Sequence, residues 1–261
     1  MRNFFLEPVG MIPHPSPGKL QGTMNKVQLS NIDHGGLRLA RRYSAELGHS
    51  VNQLLLVPSE FEEAQRDYPI LFRRDADGDF QAVAILGLDR GENLHLDTDR
   101  WNARYIPAII RREPFFLEET SDQDGGNSVA TFVDLDDPRL GSSEGEPLFL
   151  PLGGNSAQLD EALAALQTIR EGLVQQRAMF ALFAHLALLR PVNLQVQLGD
   201  GLEYRIPDVF TIDAGEFAAL SGESLNRLHR SGFLPHAIFA RSSLANINRL
   251  IEMKAAKLTN G

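Results

Sequence analysis

The chain has 261 residues, carries 34 aspartates and glutamates against 25 lysines and arginines, and contains no cysteine. A chain of this length with 43% hydrophobic residues can bury a substantial core. The absence of cysteine from the sequence excludes thiol catalysis, disulfide bridges and cysteine-ligated zinc sites. The formal net charge of −9 argues against general binding to nucleic acid, which requires clustered lysines and arginines.

The negative charge is concentrated in one segment, residues 113–147. This segment holds ten acidic residues and a single basic one, Arg139, so it accounts for the whole net charge. An acidic stretch of this kind usually forms a solvated loop, and we expect an acidic loop over 113–147. Binding of a cation or of a partner is the alternative role for it.

The N-terminal sequence does not have the pattern of a secretory signal, because Glu7 and Pro8 interrupt its apolar run almost at once. The most apolar stretch, residues 179–189, is shorter than the about 20 residues that a membrane-spanning helix requires, and it contains His185. We therefore expect a protein without a transmembrane segment that is cytoplasmic as synthesised. Any association with the cell surface would use a route other than the Sec pathway.

The first half of the chain predicts mainly strands. Four prolines suit residues 1–30 to an extended arm. Residues 51–57 form an apolar strand pattern, and residues 58–64 predict a short helix because a proline and several acids occupy its first turn. Apolar runs at 69–72 and 80–86 flank a turn sequence and predict a β-hairpin. The other elements predicted here are strands at 94–96 and 128–134 and a short buried element at 103–110.

A long helix is predicted to open the second half. Apolar residues from Leu159 to Leu186 recur at helical spacing over about eight turns, with Asn155 or Ser156 as the expected N-cap and Pro191 beyond the end. The elements predicted after it are a hairpin at 192–198 and 202–206, a strand at 209–212 and helices at 216–220 and 244–257.

This order of elements indicates an α+β fold rather than a doubly wound sheet. We expect a single compact domain over residues 1–261. Within it, residues 31–150 would form a β-rich N-terminal part with hairpins, and residues 151–261 a helix-rich C-terminal part.

Two motifs match the spacing of a functional site without its surroundings. The aspartates at 75, 77 and 79 begin like a calcium-binding loop, but the glycine and glutamate that must follow are missing, so we expect a hairpin turn. Residues 141–145 match the G-x-S-x-G pattern around Ser143. They lie in the acidic segment rather than between a strand and a helix, which favours a loop over a hydrolase nucleophile.

His95 and Asp97 form an H-x-D pattern, which can begin a two-histidine, one-carboxylate iron site. On a strand the two side chains would share one face, and His185, His229 or His236 could supply the remaining ligand. This arrangement is the basis of a metal-dependent oxygenase as an alternative function. Because a structural histidine is the more common finding, we expect no metal and no other cofactor.

Aromatic and cationic side chains are mixed most densely at residues 101–116, directly before the acidic segment. Guanidinium groups beside aromatic rings suit the recognition of planar or anionic groups. The candidate binding residues are Trp101, Arg104, Tyr105, Arg111 and Arg112. In the alternative interpretation, the aromatic residues belong to the core and the arginines pair with the neighbouring acids.

Short motifs follow one another in order along nearly the whole chain. They are His34-Gly-Gly-Leu-Arg38, Leu-Val-Pro-Ser-Glu60-Phe61, Asp67-Tyr-Pro-Ile-Leu-Phe72, Ile85-Leu-Gly-Leu, Gly91-Glu-Asn-Leu94, Trp101-Asn-Ala-Arg-Tyr105-Ile-Pro-Ala108, Arg111-Arg112-Glu-Pro114-Phe115, Glu146-Pro-Leu-Phe149, Gly232-Phe-Leu and Ser242-Ser-Leu-Ala-Asn-Ile-Asn-Arg-Leu250. Together, and in this order, the motifs resemble the bacterial SapC family.

The resemblance implies a role at the cell envelope, since the family name comes from an association with paracrystalline surface layers. It also implies an accessory or binding role beside outer-membrane receptors and flavin-dependent halogenase-like proteins, and it supplies no catalytic residues. The peptide-transporter permease of similar name is a different protein, because a permease needs several spanning helices. The family pattern leads us to expect a bulky apolar residue at position 95, which weakens the iron-site hypothesis.

We therefore expect a non-enzymatic, SapC-like accessory protein that binds a protein partner or a small ligand. The first alternative is the oxygenase with His95 and Asp97. The second is a small-molecule-binding module whose pocket is lined by Trp101, Tyr105, Arg111 and Arg112. No oligomeric state is predicted.

Overall fold

A computed structural model of the chain describes residues 25–121, 127–141, 143–198 and 202–260. Its strands are β1 (Lys26–Gln28), β2 (Arg38–Leu39), β3 (Gln53–Leu56), β4 (Ile70–Arg74), β5 (Phe80–Ile85), β6 (Leu96–Asp97), β7 (Arg100–Trp101), β8 (Phe115–Ser121), β9 (Asn127–Asp134), β10 (Glu146–Pro147), β11 (Leu189–Leu198) and β12 (Leu202–Ile212). Its helices are α1 (Phe61–Ala64), α2 (Ala108–Arg111), α3 (Ala157–His185), α4 (Ala214–Ala218), α5 (Gly222–Arg230), α6 (Leu234–Ser243) and α7 (Asn246–Asn260). A 3₁₀ turn, Pro58–Glu60, precedes α1. The mixed α+β fold, with more strands in the first half and more helices toward the C-terminus, is confirmed.

An antiparallel sheet in the order β11-β12-β4-β5-β3 forms the centre of the fold. The predicted hairpin is its β4–β5 pair. The carboxylate of Asp75 closes the turn by accepting hydrogen bonds from the backbone N–H groups of Asp77 (3.0 Å) and Asp79 (2.9 Å). The aspartates of the calcium-like motif therefore form a hairpin turn, as predicted.

Successive residues of the central strands enter cores on opposite faces of this sheet. On one face Phe72 packs against α3, and its ring lies 5.0 Å from that of Phe180. On the other face Leu71 belongs to a cluster with Leu250 of α7. Both faces are covered, which explains why β4 and β5 are apolar at consecutive positions.

A second antiparallel sheet, in the order β1-β9-β8, packs against the first half of α3. Phe115 and Val133, which are paired across β8 and β9, are buried against Leu159 and Leu166 of the helix. The prediction of a loop over the whole of 113–147 is therefore wrong, because this segment contains the β8–β9 hairpin, while the strand predicted at 128–134 is present as β9. The burial of Phe115 and Val133 against α3 stabilises these strands despite the high charge of the segment.

Helix α3 starts where the sequence predicts it. The side chain of Ser156 accepts a hydrogen bond from the backbone N–H of Leu159 (3.3 Å), which identifies Ser156 as the N-cap. The helix has 29 residues and a length of about 43 Å, so it contributes to the cores of both larger sheets. At its middle, Gly172 lies directly against the side chain of Val57.

The second predicted hairpin is longer than the sequence pattern indicates. Strand β12 runs continuously through the interval between the predicted strands at 202–206 and 209–212. Within this interval Asp208 has a φ of 55°, and the pairing register shifts between Val192 and Leu194. An irregular residue in the strand thus interrupts the periodicity without ending the pairing.

The N-terminal arm lies mainly outside the described residues, apart from its last part, which forms β1 at the edge of the second sheet. None of the helices in the described part of the chain is long and apolar enough to cross a membrane. The single domain over residues 1–261 stays a prediction.

We predict that Gly172→Ala lowers the free energy of unfolding by about 1–2 kcal/mol. A methyl group at this position would overlap the side chain of Val57. Overpacking of a core typically costs about 1–3 kcal/mol, which exceeds the roughly 1 kcal/mol that alanine gains over glycine in a helix. Urea denaturation of the variant and the wild type measures the difference.

Gly222→Ala is the matched control, because a methyl group at the start of α5 meets no atom of the described structure within 4 Å. We expect its stability to stay within about 0.5 kcal/mol of the wild type. Adding Val57→Gly, which removes the Cβ and both Cγ atoms that the new methyl group would overlap, should make Gly172→Ala less harmful than it is in the wild type. A Gly172→Ala variant as stable as the wild type would contradict the prediction, because it would show that α3 and Val57 can move apart without loss of stability.

Candidate functional site

The aromatic residues predicted to bind a ligand form part of the core beside β7. Trp101 is buried, and its Nε1 donates a hydrogen bond to the hydroxyl of Tyr68 (2.7 Å). That hydroxyl in turn donates to the backbone carbonyl of Tyr105. Burial of the Tyr68 phenol raises its pKa above the ordinary tyrosine value. This chain of hydrogen bonds holds Trp101 and the backbone at Tyr105 in place.

A buried carboxylate, that of Glu60, orients the segment that leads into α2. It accepts hydrogen bonds from the backbone N–H groups of Ala108 (2.7 Å) and Val57 (2.8 Å) and from the hydroxyl of Tyr105 (2.8 Å). Burial raises the pKa of Glu60 against the opposing effect of these donors. Glu60 thus holds the start of α2 and the Tyr105 side chain together.

Asp67 holds the backbone just before the residues that Glu60 contacts. Its carboxylate accepts from the backbone N–H groups of Arg104 (2.9 Å) and Tyr105 (3.1 Å) and pairs with Arg249 of α7 (3.1 Å). The side chain of Arg104 itself is exposed. The position of the predicted site segment therefore depends on two buried acids that lie far from it in sequence.

The two adjacent arginines at the end of this segment have different surroundings. Arg112 is buried, donates to the backbone carbonyl of Phe115 (2.8 Å) and lies over the ring of Phe116. Arg111 is half-buried and donates to the carbonyl of Ile106 (2.9 Å) and to the hydroxyl of Tyr105 (3.2 Å). Within the described residues neither arginine has a carboxylate within 4 Å.

Two of the acids that follow, Glu113 and Asp137, are instead paired with Arg139, and Glu113 also accepts a hydrogen bond from His49. The guanidinium of Arg139 makes a bidentate contact with the carboxylate of Asp137, from Nε to Oδ1 (2.9 Å) and from Nη2 to Oδ2 (2.7 Å). Its Nη2 also donates to the carboxylate of Glu113 (3.1 Å). Nδ1 of His49 accepts from the backbone N–H of Ser44 (3.2 Å), so Nε2 carries a proton that it donates to Glu113 (2.9 Å). Burial acts to raise the pKa of Glu113, but the His49 hydrogen bond and the positive charge of Arg139 outweigh it, and that pKa is lowered.

A small cleft opens between the chain after β2, the end of α2 and the first turns of α3. Its volume is about 30 Å³, and four arginines and two glutamates are among its lining residues. We call it the arginine cleft and define it by its polar lining residues, which are Arg41, Arg42, Tyr43, Arg111, Glu113, Arg139, Gln158 and Glu161.

The cations of the arginine cleft are only partly balanced. Arg41 pairs with Glu161 (2.5 Å), while Arg139 is paired with Glu113 and Asp137. Arg42 donates only to the carbonyl of Pro138 (3.3 Å) among the described residues, and Arg111 makes only the contacts given above. Two guanidinium groups at the cleft therefore have hydrogen-bonding capacity without a carboxylate partner.

Two further polar groups complete the cleft. The phenol of Tyr43 lies in the field of Arg41, Arg139 and Arg111, and burial raises its pKa. The side chain of Gln158, at the second position of α3, is buried with 7% exposure. Its Oε1 has no hydrogen-bond partner among the described residues.

Of the five predicted binding residues, Arg111 lines the arginine cleft, whereas Trp101, Arg104, Tyr105 and Arg112 do not. A ligand role for those four residues stays a prediction. Sequence reasoning missed Arg41, Arg42, Tyr43 and Gln158. The run Arg41-Arg42-Tyr43 is itself a cluster of cations beside an aromatic residue and could have been recognised.

The structure gives His95 and Asp97 different surroundings. His95 precedes β6 and is fully buried against the ring of Tyr68, whereas Asp97 is exposed, so the expectation of a shared strand face is wrong. Neither ring nitrogen of His95 has a hydrogen-bond partner among the described residues. Across the described ranges, no three histidine, aspartate or glutamate side chains are grouped so that they could hold a metal ion.

The other histidines lie in separate places. His185 and His229 are exposed, and His236 packs between the rings of Phe61 and Phe233. Ser143 lies in the turn before β10 rather than between a strand and a helix, which agrees with the loop that was expected for it.

We predict that stability decreases as the pH falls from about 6.5 to about 4, in part because of His95. Burial lowers the pKa of His95 to about 4, whereas an unfolded histidine titrates near 6.5. In this interval the unfolded chain binds a proton that the folded chain does not, so acid favours unfolding, by on the order of 3 kcal/mol for the whole interval. Urea denaturation at a series of pH values measures this dependence.

His95→Leu should flatten the pH dependence and leave stability at pH 7 unchanged or higher by about 1 kcal/mol. It removes two unpartnered buried nitrogens and retains an apolar side chain of similar size. The exposed His185→Gln serves as the control and should keep the wild-type dependence. Equal pH dependence in the His95→Leu variant and the wild type would contradict the prediction.

Comparison with known proteins is consistent with the motif resemblance. Searches of curated proteins and of solved structures each returned no match. A family model described as SapC matches residues 29–250, which include the five-stranded sheet, strands β8 and β9 of the second sheet, α3 and the arginine cleft. The match spans most of the chain, and the protein therefore belongs to the SapC family.

Proposed function

We propose that this protein is a non-enzymatic accessory binding protein of the cell envelope and that it binds an anionic group in the arginine cleft. The observation that carries the proposal is the presence of Arg42 and Arg111 at one small cleft without carboxylate partners among the described residues. The surface-layer association implied by the family resemblance supports the envelope part of the proposal.

The charge of the cleft favours an anion. Four arginines and two glutamates leave a formal charge of +2 on its lining. Both glutamates already pair with arginines, Glu161 with Arg41 and Glu113 with Arg139. A carboxylate or a similar planar anion can accept two parallel hydrogen bonds from one guanidinium group, which makes arginine well suited to this ligand.

The size of the cleft restricts what enters it. A volume of about 30 Å³ holds one or two waters, or the terminal group of a larger molecule. The ligand would therefore insert a carboxylate-sized head, and the remainder of a small ligand or protein partner would contact the surrounding surface. This geometry favours binding over the oxygenase alternative, whose two residues have different surroundings, His95 being buried and Asp97 exposed.

We predict that propionate, used as the simplest probe, stabilises the folded protein in a thermal-shift titration. A ligand that binds only the folded state raises the melting temperature by mass action. Arg42→Gln should weaken binding by about tenfold, since it removes one charge-assisted hydrogen bond while leaving the Glu60 and Tyr105 contacts intact. Isothermal calorimetry measures both affinities.

Arg104→Gln is the matched control, because Arg104 is an exposed arginine of the predicted site segment that does not line the cleft. We expect it to bind propionate like the wild type. The proposal is wrong if neither propionate nor phosphate binds, or if the two arginine variants lose affinity equally. Recovery of the protein in envelope fractions of its own host would support the envelope role, and its absence from them would contradict that role.

A further inference from the structure

The side-chain amide of Gln158 has an acceptor oxygen that an anion bound by the arginines would leave unpaired. Its side chain is buried at the edge of the arginine cleft, and its Oε1 lacks a donor among the described residues. Buried acceptors are almost always paired in folded proteins, and an unpaired one is destabilising. An unpaired acceptor at this cleft is suited to a donor from outside the described residues, such as a bound ligand.

This acceptor can turn toward the cleft. No hydrogen bond to a described residue holds the Gln158 amide, and rotation of its last torsion exchanges the positions of the oxygen and the nitrogen. The amide belongs to the first turn of α3, directly after the Ser156 cap, so its backbone is firmly placed. Small rotations of one side chain are then sufficient to complete a site.

The cleft thus combines two kinds of group within a small volume. Arg42 and Arg111 provide donors for an anion, and the Gln158 amide provides an acceptor beside them. The carboxylates of Glu113 and Glu161 also line the cleft and favour a positive or neutral donor over a second negative charge. A simple anion would accept hydrogen bonds from Arg42 and Arg111, but it has no donor for the Gln158 amide oxygen.

We infer that the ligand is a small acid with a hydrogen-bond donor next to its carboxylate, namely a 2-hydroxy acid or a 2-amino acid. This inference rests on the proposed anion site. The carboxylate contacts Arg42 and Arg111, and the neighbouring hydroxyl or ammonium group donates to Oε1 of Gln158. A larger ligand would present the same pair of groups at one end.

Propionate, lactate and alanine test the inference, because they share a three-carbon acid and differ at the second carbon. We expect the wild type to bind lactate or alanine about fivefold more tightly than propionate, which is the effect of one additional hydrogen bond. Whether lactate or alanine binds more tightly distinguishes the hydroxyl from the ammonium donor. Isothermal calorimetry with each acid measures the three affinities.

Gln158→Met is the matched variant, since methionine keeps the length of the side chain and removes its hydrogen-bonding groups. It should bind all three acids with the affinity that the wild type has for propionate. Discrimination that survives in Gln158→Met, or equal binding of the three acids by the wild type, overturns the inference and leaves the anion site standing. Binding of phosphate but of none of the three acids overturns the inference alone, whereas failure of phosphate and of all three acids to bind overturns the anion site as well. If the variant does not fold, the wild-type comparison decides alone.

Discussion

The packing of both larger sheets against one helix is the constraint on which the rest of this structure depends. Helix α3 buries Phe180 and Phe183 against the five-stranded sheet and Leu159 and Leu166 against the three-stranded sheet. A single rigid element of about 43 Å therefore sets the distance between the two cores. The arginine cleft lies at its N-terminal end, where chain segments from both parts meet.

Two buried carboxylates hold the irregular backbone that leads to Arg111 of the arginine cleft. Glu60 and Asp67 hold the backbone between Arg104 and Ala108. Their carboxylates accept hydrogen bonds from backbone N–H groups that have no partner in a strand or a long helix. Such contacts stabilise irregular chain because each acid pairs several donors that would otherwise be buried without partners. The cost is that the Glu60 carboxyl is held away from water, which raises its pKa. Arg111 is oriented by the same network, through Tyr105.

Much of the fold could be predicted from the sequence, because periodicity reports which side of an element is buried. The spacing from Leu159 to Leu186 identified α3, and the apolar runs around Asp75 identified the β4–β5 hairpin. Within 113–147 the strand β9 was predicted at 128–134, but its partner β8 was missed because the high acidic content indicated a loop, whereas burial of Phe115 against α3 stabilises a strand. The site was predicted less well. Arg111 was named, but Arg42 and Gln158 lie about 70 residues before it and about 50 after it.

The sequence by itself determined which side chains are present for chemistry, with cysteine excluded. It also determined the α+β class and, through its ordered motifs, the SapC family. Only the tertiary structure decided which charges are available, because pairing depends on neighbours in space. It placed Glu113 between His49 and Arg139, and it left Arg42 and Arg111 without a described carboxylate partner. It also gave His95 and Asp97 different surroundings, although they are two residues apart: His95 is buried against the ring of Tyr68, and Asp97 is exposed.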